Sequence, residues 1–159
     1  EPIQGTGQQV IPGNGSGSGD NGSNNNGNNP DDNDDNNDDT PVSNNLKITI
    51  GPVSFNATLE NNETAKAFKR LLPMTVDMSE LHGNEKYYYL SNGLPTASSN
   101  PGTIRTGDLM LYGSTCVVLF YETFSTSYTY TRLGRITNPS GLASALGSGG
   151  VNVTFEITD

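Results

Sequence analysis

The sequence predicts a mainly β domain: a small, mostly antiparallel barrel with two short helices. Three observations point there. Short runs alternating apolar with polar residues recur from residue 46 to residue 159, with the period of half-buried strands. Only two stretches change to helical spacing. Gly, Pro and Asn punctuate the runs where turns would be needed.

In order, Leu46 to Ile50 alternates and stops at Gly51-Pro52, and Val53 to Leu59 alternates again, so a hairpin is expected. Asn62 offers a helix N-cap, with Glu63 well placed against the helix dipole. Ala65, Phe68, Leu71 and Leu72 recur at helical spacing until Pro73, which leaves Lys66, Lys69 and Arg70 for a solvated face. Met74 to Met78 predicts a third strand and Tyr87-Tyr88-Tyr89-Leu90 a short aromatic one. Residues 91–107, rich in Asn, Gly, Pro and Ser, predict a long irregular loop.

Asp108 to Tyr112 and Thr115 to Tyr121 flank Gly113-Ser114, a pair suited to a tight hairpin turn. Their nearly continuous apolar content calls for cover on both faces, as in a barrel wall with helices packed outside. Ser127 to Ile136 predicts a further strand, on which Tyr128 and Tyr130 share a face. Asn138-Pro139 predicts the start of a second helix, with Leu142 and Leu146 as its apolar stripe and Gly147 as C-cap. Val151 to Ile157 alternates strictly as the last strand. Seven or eight strands with two helices fit a barrel whose helices cover its openings.

Residues 1–45 are of another kind. Beyond Ile3, Val10, Ile11 and Val42 they hold no aliphatic side chain, and they hold no aromatic one. Such a segment cannot bury enough apolar surface to offset its conformational entropy, so a disordered linker is expected ahead of a folded domain at 46–159. The linker has Glu1, Asp20, Asp31, Asp32, Asp34, Asp35, Asp38 and Asp39 and no Lys or Arg, about −8, while the domain has nine acidic and eight basic residues, about −1. As a flexible coil it would span on the order of 40 Å, a tether for the domain. Similar Gly/Ser/Asn/Asp tethers follow the lipid-modified cysteine of bacterial surface lipoproteins. The expected location is therefore extracytoplasmic, at a bacterial surface or in the periplasm, with a lipid anchor upstream of Glu1. The chain begins at Glu1 rather than Met, which points to a processed product, and no signal segment is present. Asp31 to Asp39 lacks the glycine and the terminal glutamate of an EF-hand loop, so it reads as a solvated spacer.

The near-neutral domain has no electrostatic footprint for nucleic acid, and no run approaches the length of a membrane span. Cys116, the single cysteine, lies in an apolar run and is expected to be a buried thiol, which excludes an intramolecular disulfide and a cysteine-based metal site. His82, the single histidine, falls in a polar turn with no second His or Cys nearby. No metal, cofactor or nucleotide motif is expected: there is no G-x-S-x-G, Walker or H-E-x-x-H sequence.

A resemblance rests on Gly107-Asp108-Leu109-Met110-Leu111-Tyr112-Gly113 with Cys116-Val117-Val118-Leu119-Phe120-Tyr121, followed by Tyr130 to Ile136 and Gly141 to Gly147. These runs, in this order, resemble the bacterial cyclophilin-like domain family across nearly all of residues 46–159. The resemblance implies an eight-stranded cyclophilin barrel and little mechanism, because the family's function is largely unassigned. Cyclophilins proper are prolyl isomerases that rely on an arginine in a Phe-His-Arg context. No Phe-His-Arg occurs here, and Arg70, Arg105, Arg132 and Arg135 lie in no comparable motif. The resemblance also places Val117 near a pocket phenylalanine of cyclophilins and Tyr130 near a pocket histidine.

All seven tyrosines lie in or beside predicted strands. A core-edge role, ring buried and hydroxyl wet, is the commoner one. The functional alternative is a groove for a peptide or small apolar ligand, lined by Tyr88, Tyr112, Val117, Tyr128, Tyr130 and Arg132, with Glu85 and Lys86 as further polar ends. The leading expectation is a monomeric, non-enzymatic binding module with no catalytic residue. A peptidyl-prolyl isomerase and a ligand-free structural or adaptor domain are the alternatives.

Overall fold

The computed structural model describes residues 42–159. The expected linker, its tethering role and the Asp31–Asp39 spacer fall almost wholly outside them. The element order is β1 (Asn45–Ile50), β2 (Val53–Leu59), α1 (Glu63–Lys69), β3 (Met74–Leu81), β4 (Glu85–Tyr89), β5 (Thr103–Ile104), β6 (Asp108–Tyr112), β7 (Cys116–Phe120), β8 (Phe124–Ser125), β9 (Thr131–Ile136), α2 (Leu142–Leu146) and β10 (Val151–Thr158). Eight strands close a barrel in the order β1-β10-β3-β4-β7-β6-β9-β2, with antiparallel neighbours throughout, and β5 and β8 pair separately. Closure removes the edges on which an open sheet would aggregate.

Alternation decides which side chains enter the barrel. Leu46, Ile48 and Ile50 of β1, Phe55, Ala57 and Leu59 of β2, and Val153 and Phe155 of β10 join one buried core with Leu109, Leu111, Val117 and Leu119. Strand registers place α1 and α2 at opposite ends of this core: α1 joins the end of β2 to the start of β3, and α2 joins the end of β9 to the start of β10. Asn62 caps α1 as expected, its Oδ1 accepting from the Ala65 N–H at 2.7 Å, and Phe68 meets Phe155 edge-on at 5.7 Å. From α2, Leu142 and Leu146 close the other end.

Several expectations need correction. The first helix ends at Lys69, so Leu71 is 43% exposed rather than part of the apolar stripe. Lys69 is buried, not solvated: its stem packs down and its ammonium donates to the Ser43 carbonyl at 3.1 Å. The second helix is only five residues long and is preceded by Gly141 in a left-handed conformation. Asn138 and Pro139 form a turn instead, in which Asn138 Oδ1 accepts from the Ser140 N–H and the Pro139 carbonyl from the Leu142 N–H. Gly147 does end that helix, with φ of 73°.

The doubly apolar hairpin β6–β7 is covered on both faces, but its outer cover is not a helix. Residues 127–130 leave the predicted strand, and β9 starts only at Thr131. Segments 99–104 and 124–130 run antiparallel: Ser99 and Tyr130 exchange backbone hydrogen bonds at 2.9 Å, Thr126 N–H donates to Gly102, and β5 pairs with β8. This strap lies over the barrel wall and encloses a second apolar cluster of Leu81, Ile104, Met110, Cys116, Val118, Phe120 and Tyr130.

Gly134 marks the tightest approach of two walls. A Cβ there would lie 2.6 Å from the Thr58 carbonyl oxygen and 3.1 Å from Leu59 Cα, both backbone atoms that cannot swing away. Gly134→Ala is expected to destabilise the domain by about 1–3 kcal/mol, as overpacking does. Urea unfolding checks it, and a loss within a few tenths of a kcal/mol would show that the β2–β9 seam relaxes.

Candidate functional site: a tyrosine face beneath and beside the strap

Strand parity sorts the predicted site residues onto two sides of the wall. Tyr88 and Val117 are cross-strand partners, and both pack into the barrel core. They therefore face the barrel interior and do not stand on the outer face with the other predicted groove residues. Tyr112, Tyr128 and Tyr130 do come together on the outer face. Tyr112 lies 5.5 Å from Tyr130 and 6.1 Å from Tyr128, ring to ring, and Phe120 meets Tyr130 at 5.6 Å. Arg132, half-buried, is the cross-strand partner of Met110, one of the residues beneath the strap, and so stands on this face.

Tyr130 is 1% exposed, and its hydroxyl makes no hydrogen bond among the described residues. The Thr126 hydroxyl, which accepts from the Tyr128 N–H at 3.1 Å and keeps its own O–H free to donate, lies beside it and favours its ionised form. Burial, then the Glu85 carboxyl, pushes the Tyr130 hydroxyl above its ordinary range, so it remains a donor at all working pH. A buried hydroxyl without a well-formed hydrogen bond is uncommon in folded proteins.

Glu85 and Cys116 complete the face. Glu85 is fully buried opposite Phe120, and burial first, then the charge of Glu80, raises its pKa to about 8. Cys116 is 1% exposed, and its thiol is pushed up by burial, which makes it inert as a nucleophile. It is paired across strands with Tyr89 on one side and Tyr112 on the other. The period-two rule applied to Tyr87-Tyr88-Tyr89 separates Tyr88 from its neighbours, but nothing local says which parity faces the core.

Glu85 and Lys86, expected as polar ends of a groove, point to opposite sides of the wall, and neither is at the surface. Lys86 is inside the barrel, at the α2 end. Its ammonium donates to Glu80 Oε1 at 2.8 Å and to the carbonyls of Gly147 and Gly149 at 2.9 and 2.6 Å, while the Tyr121 hydroxyl donates to the same Glu80 oxygen at 2.7 Å. This network is a structural tie between the wall and the segment after α2. His82 is exposed in the β3–β4 turn. Among the described residues no group of three or more His, Cys, Asp or Glu side chains could hold a metal ion. No helix among the described residues is long and apolar enough to cross a membrane.

The Cyclophilin-like family model matches residues 48–156, the whole barrel from β1 into β10. The chain belongs to the cyclophilin-like family. A hypothetical protein of Archaeoglobus fulgidus, known from a solution structure, is similar in fold with a TM-score of 0.51 at 20% identity, over 76% of this chain and 98% of that one. At that identity the likeness to the archaeal cyclophilin-like neighbour concerns the fold alone. No curated protein matches the chain. The eight-stranded antiparallel barrel with two short helices agrees with the architecture that the sequence resemblance implied.

Proposed function

We propose that this cyclophilin-like chain is a non-enzymatic binding module whose outer tyrosine face takes a peptide or small apolar ligand, displayed outside the bacterial cytoplasm on its acidic N-terminal tether. One observation carries the binding part: the fully buried Tyr130 hydroxyl makes no well-formed hydrogen bond within a layer of aromatic rings, with only the Thr126 hydroxyl beside it. Tyr112 and Tyr128, only partly buried, give that layer an opening to solvent, and Arg132 stands at its rim. A ligand with one acceptor and an apolar body satisfies this chemistry. The tether reading rests on the composition of residues 1–45 alone.

The test uses the fluorescent apolar probe 1-anilinonaphthalene-8-sulfonate on the folded full chain. Saturable enhancement at one site is expected, reduced by Tyr128→Ala and by Tyr130→Phe. Tyr130→Phe itself should change stability by no more than about 1 kcal/mol, since the lost hydroxyl makes no protein hydrogen bond. Absence of saturable binding, or binding untouched by Tyr128→Ala, would remove the ligand from this face.

A further inference from the structure

Next to the strap layer the same wall carries a surface of distinct chemistry. Tyr89 is 51% exposed, one of few large apolar groups at the surface among the described residues. Its cross-strand partner is the buried Cys116, and burial, then that thiol, raises its hydroxyl to about 12. A ring half exposed at an outward-facing position of β4 offers apolar surface to solvent. Tyr87 braces it edge-on at 5.7 Å and 72°.

Register supplies the surroundings. Ser79 is the cross-strand partner of Tyr87, Asp77 that of Asn152, and Thr75 that of Thr154, with the two threonine hydroxyls 2.7 Å apart. Val76 and Met78 point into the barrel, so Ser79, Asp77 and Thr75 share the outer face with Tyr87 and Tyr89. Ser79, Asp77 and Asn152 are all exposed. Neither β3 nor β10 contains Lys or Arg, and the single cation of β4, Lys86, is buried on the opposite side. Around Tyr87 and Tyr89 the surface thus offers aromatic rings, hydroxyls, an amide and one carboxylate, and no cation, the Lys47–Glu156 ion pair lying further along β10. It repels polyanions and cannot pair a ligand carboxylate or phosphate.

From this geometry we infer that Tyr89 and Tyr87, with Asp77, Ser79 and Asn152, form a binding platform for a neutral carbohydrate. The apolar face of a pyranose stacks on an exposed ring, and its ring of hydroxyls both donates and accepts, which suits a carboxylate, an amide and hydroxyls arranged beside that ring. The platform adjoins the strap layer through Tyr87, which packs against the strap cluster, but its exposed groups call for a different ligand.

Amide NMR titration of the full chain with cellohexaose, maltoheptaose and chitohexaose tests this. At least one sugar is expected to give saturable shifts at residues 77–79, 87–89 and 152. Tyr89→Ala should weaken that binding by about tenfold or more, as loss of an aromatic anchor does. Tyr89→Phe should retain it, while Tyr128→Ala leaves these shifts unchanged. Shifts with none of the three sugars overturn the inference, and so do shifts indifferent to Tyr89→Ala. A polyproline peptide moving the same residues when the sugars do not would reassign the platform to a peptide. The strap-layer reading is judged separately, by the apolar probe and Tyr128→Ala.

Discussion

Stability of the folded domain is expected to fall by up to about 5 kcal/mol as pH rises from 5 to 9, and Glu85 is the cause. Its carboxyl is fully buried against Phe120 and Leu81, and its pKa lies near 8 in the folded protein against an ordinary value of 4.5. Below 4.5 the group is protonated folded and unfolded, so its contribution is complete there. Between 4.5 and 8 the unfolded chain ionises while the folded one keeps its proton, and stability is lost progressively until the folded group also titrates. The neighbouring groups do not cancel this. Cys116 and Tyr130 are both pushed up and stay neutral across the window. Glu80 shifts the other way, held down by the Lys86 ammonium, the Tyr121 hydroxyl and the Gly83 N–H against the opposing effect of burial. Its contribution is present above its unfolded pKa and lost on the acid side. Urea unfolding at a series of pH values should show the alkaline decline in the wild type and none in Glu85→Gln. A wild-type profile flat from pH 5 to 9 would mean that Glu85 is solvated.

Lys86→Met is expected to cost about 3–5 kcal/mol, the usual result of removing one partner from a buried charge pair. The methionine matches the length of the stem but supplies no donor. It leaves Glu80 without its cation and strands the carbonyls of Gly147 and Gly149 inside the barrel end. In a domain of this size the melting temperature should drop on the order of 10 °C or more. Glu80→Gln in the Lys86→Met background should recover part of the loss, because the two residues share one network and their effects do not add. A loss below about 1 kcal/mol would show the lysine to be a surface residue whose amine water can replace. The two experiments probe opposite faces of β4, one strand whose adjacent residues Glu85 and Lys86 are both charged types and both buried.

Those adjacent residues show where local reading stops. By itself the sequence determined the barrel: strict alternation in 46–50, 53–59 and 151–157 announces strands with one apolar face, Asn62 announces a helix start, and Gly147 a helix end. Each of these signals is carried by residues close in the chain, through backbone periodicity and through caps that bond within one turn. The doubly apolar hairpin around Gly113 likewise required cover on both sides.

What supplies that cover was decided only by tertiary structure. The strap arises because Tyr130 pairs with Ser99, thirty-one positions away, and neither residue carries a local mark of that bridge. The same long-range pairing takes Tyr128 and Tyr130 off the strand they were expected to share, yet still gathers them against Tyr112. Parity alone could not say that Tyr88 and Val117 belong inside and Tyr87, Tyr89 and Cys116 outside, because every one of these residues can occupy either face. Burial of Glu85 and Lys86 shows the same limit. A charged side chain reads as solvated until the fold places a wall, a strap or a helix end over it, and then its environment, not its identity, sets its ionisation and its role.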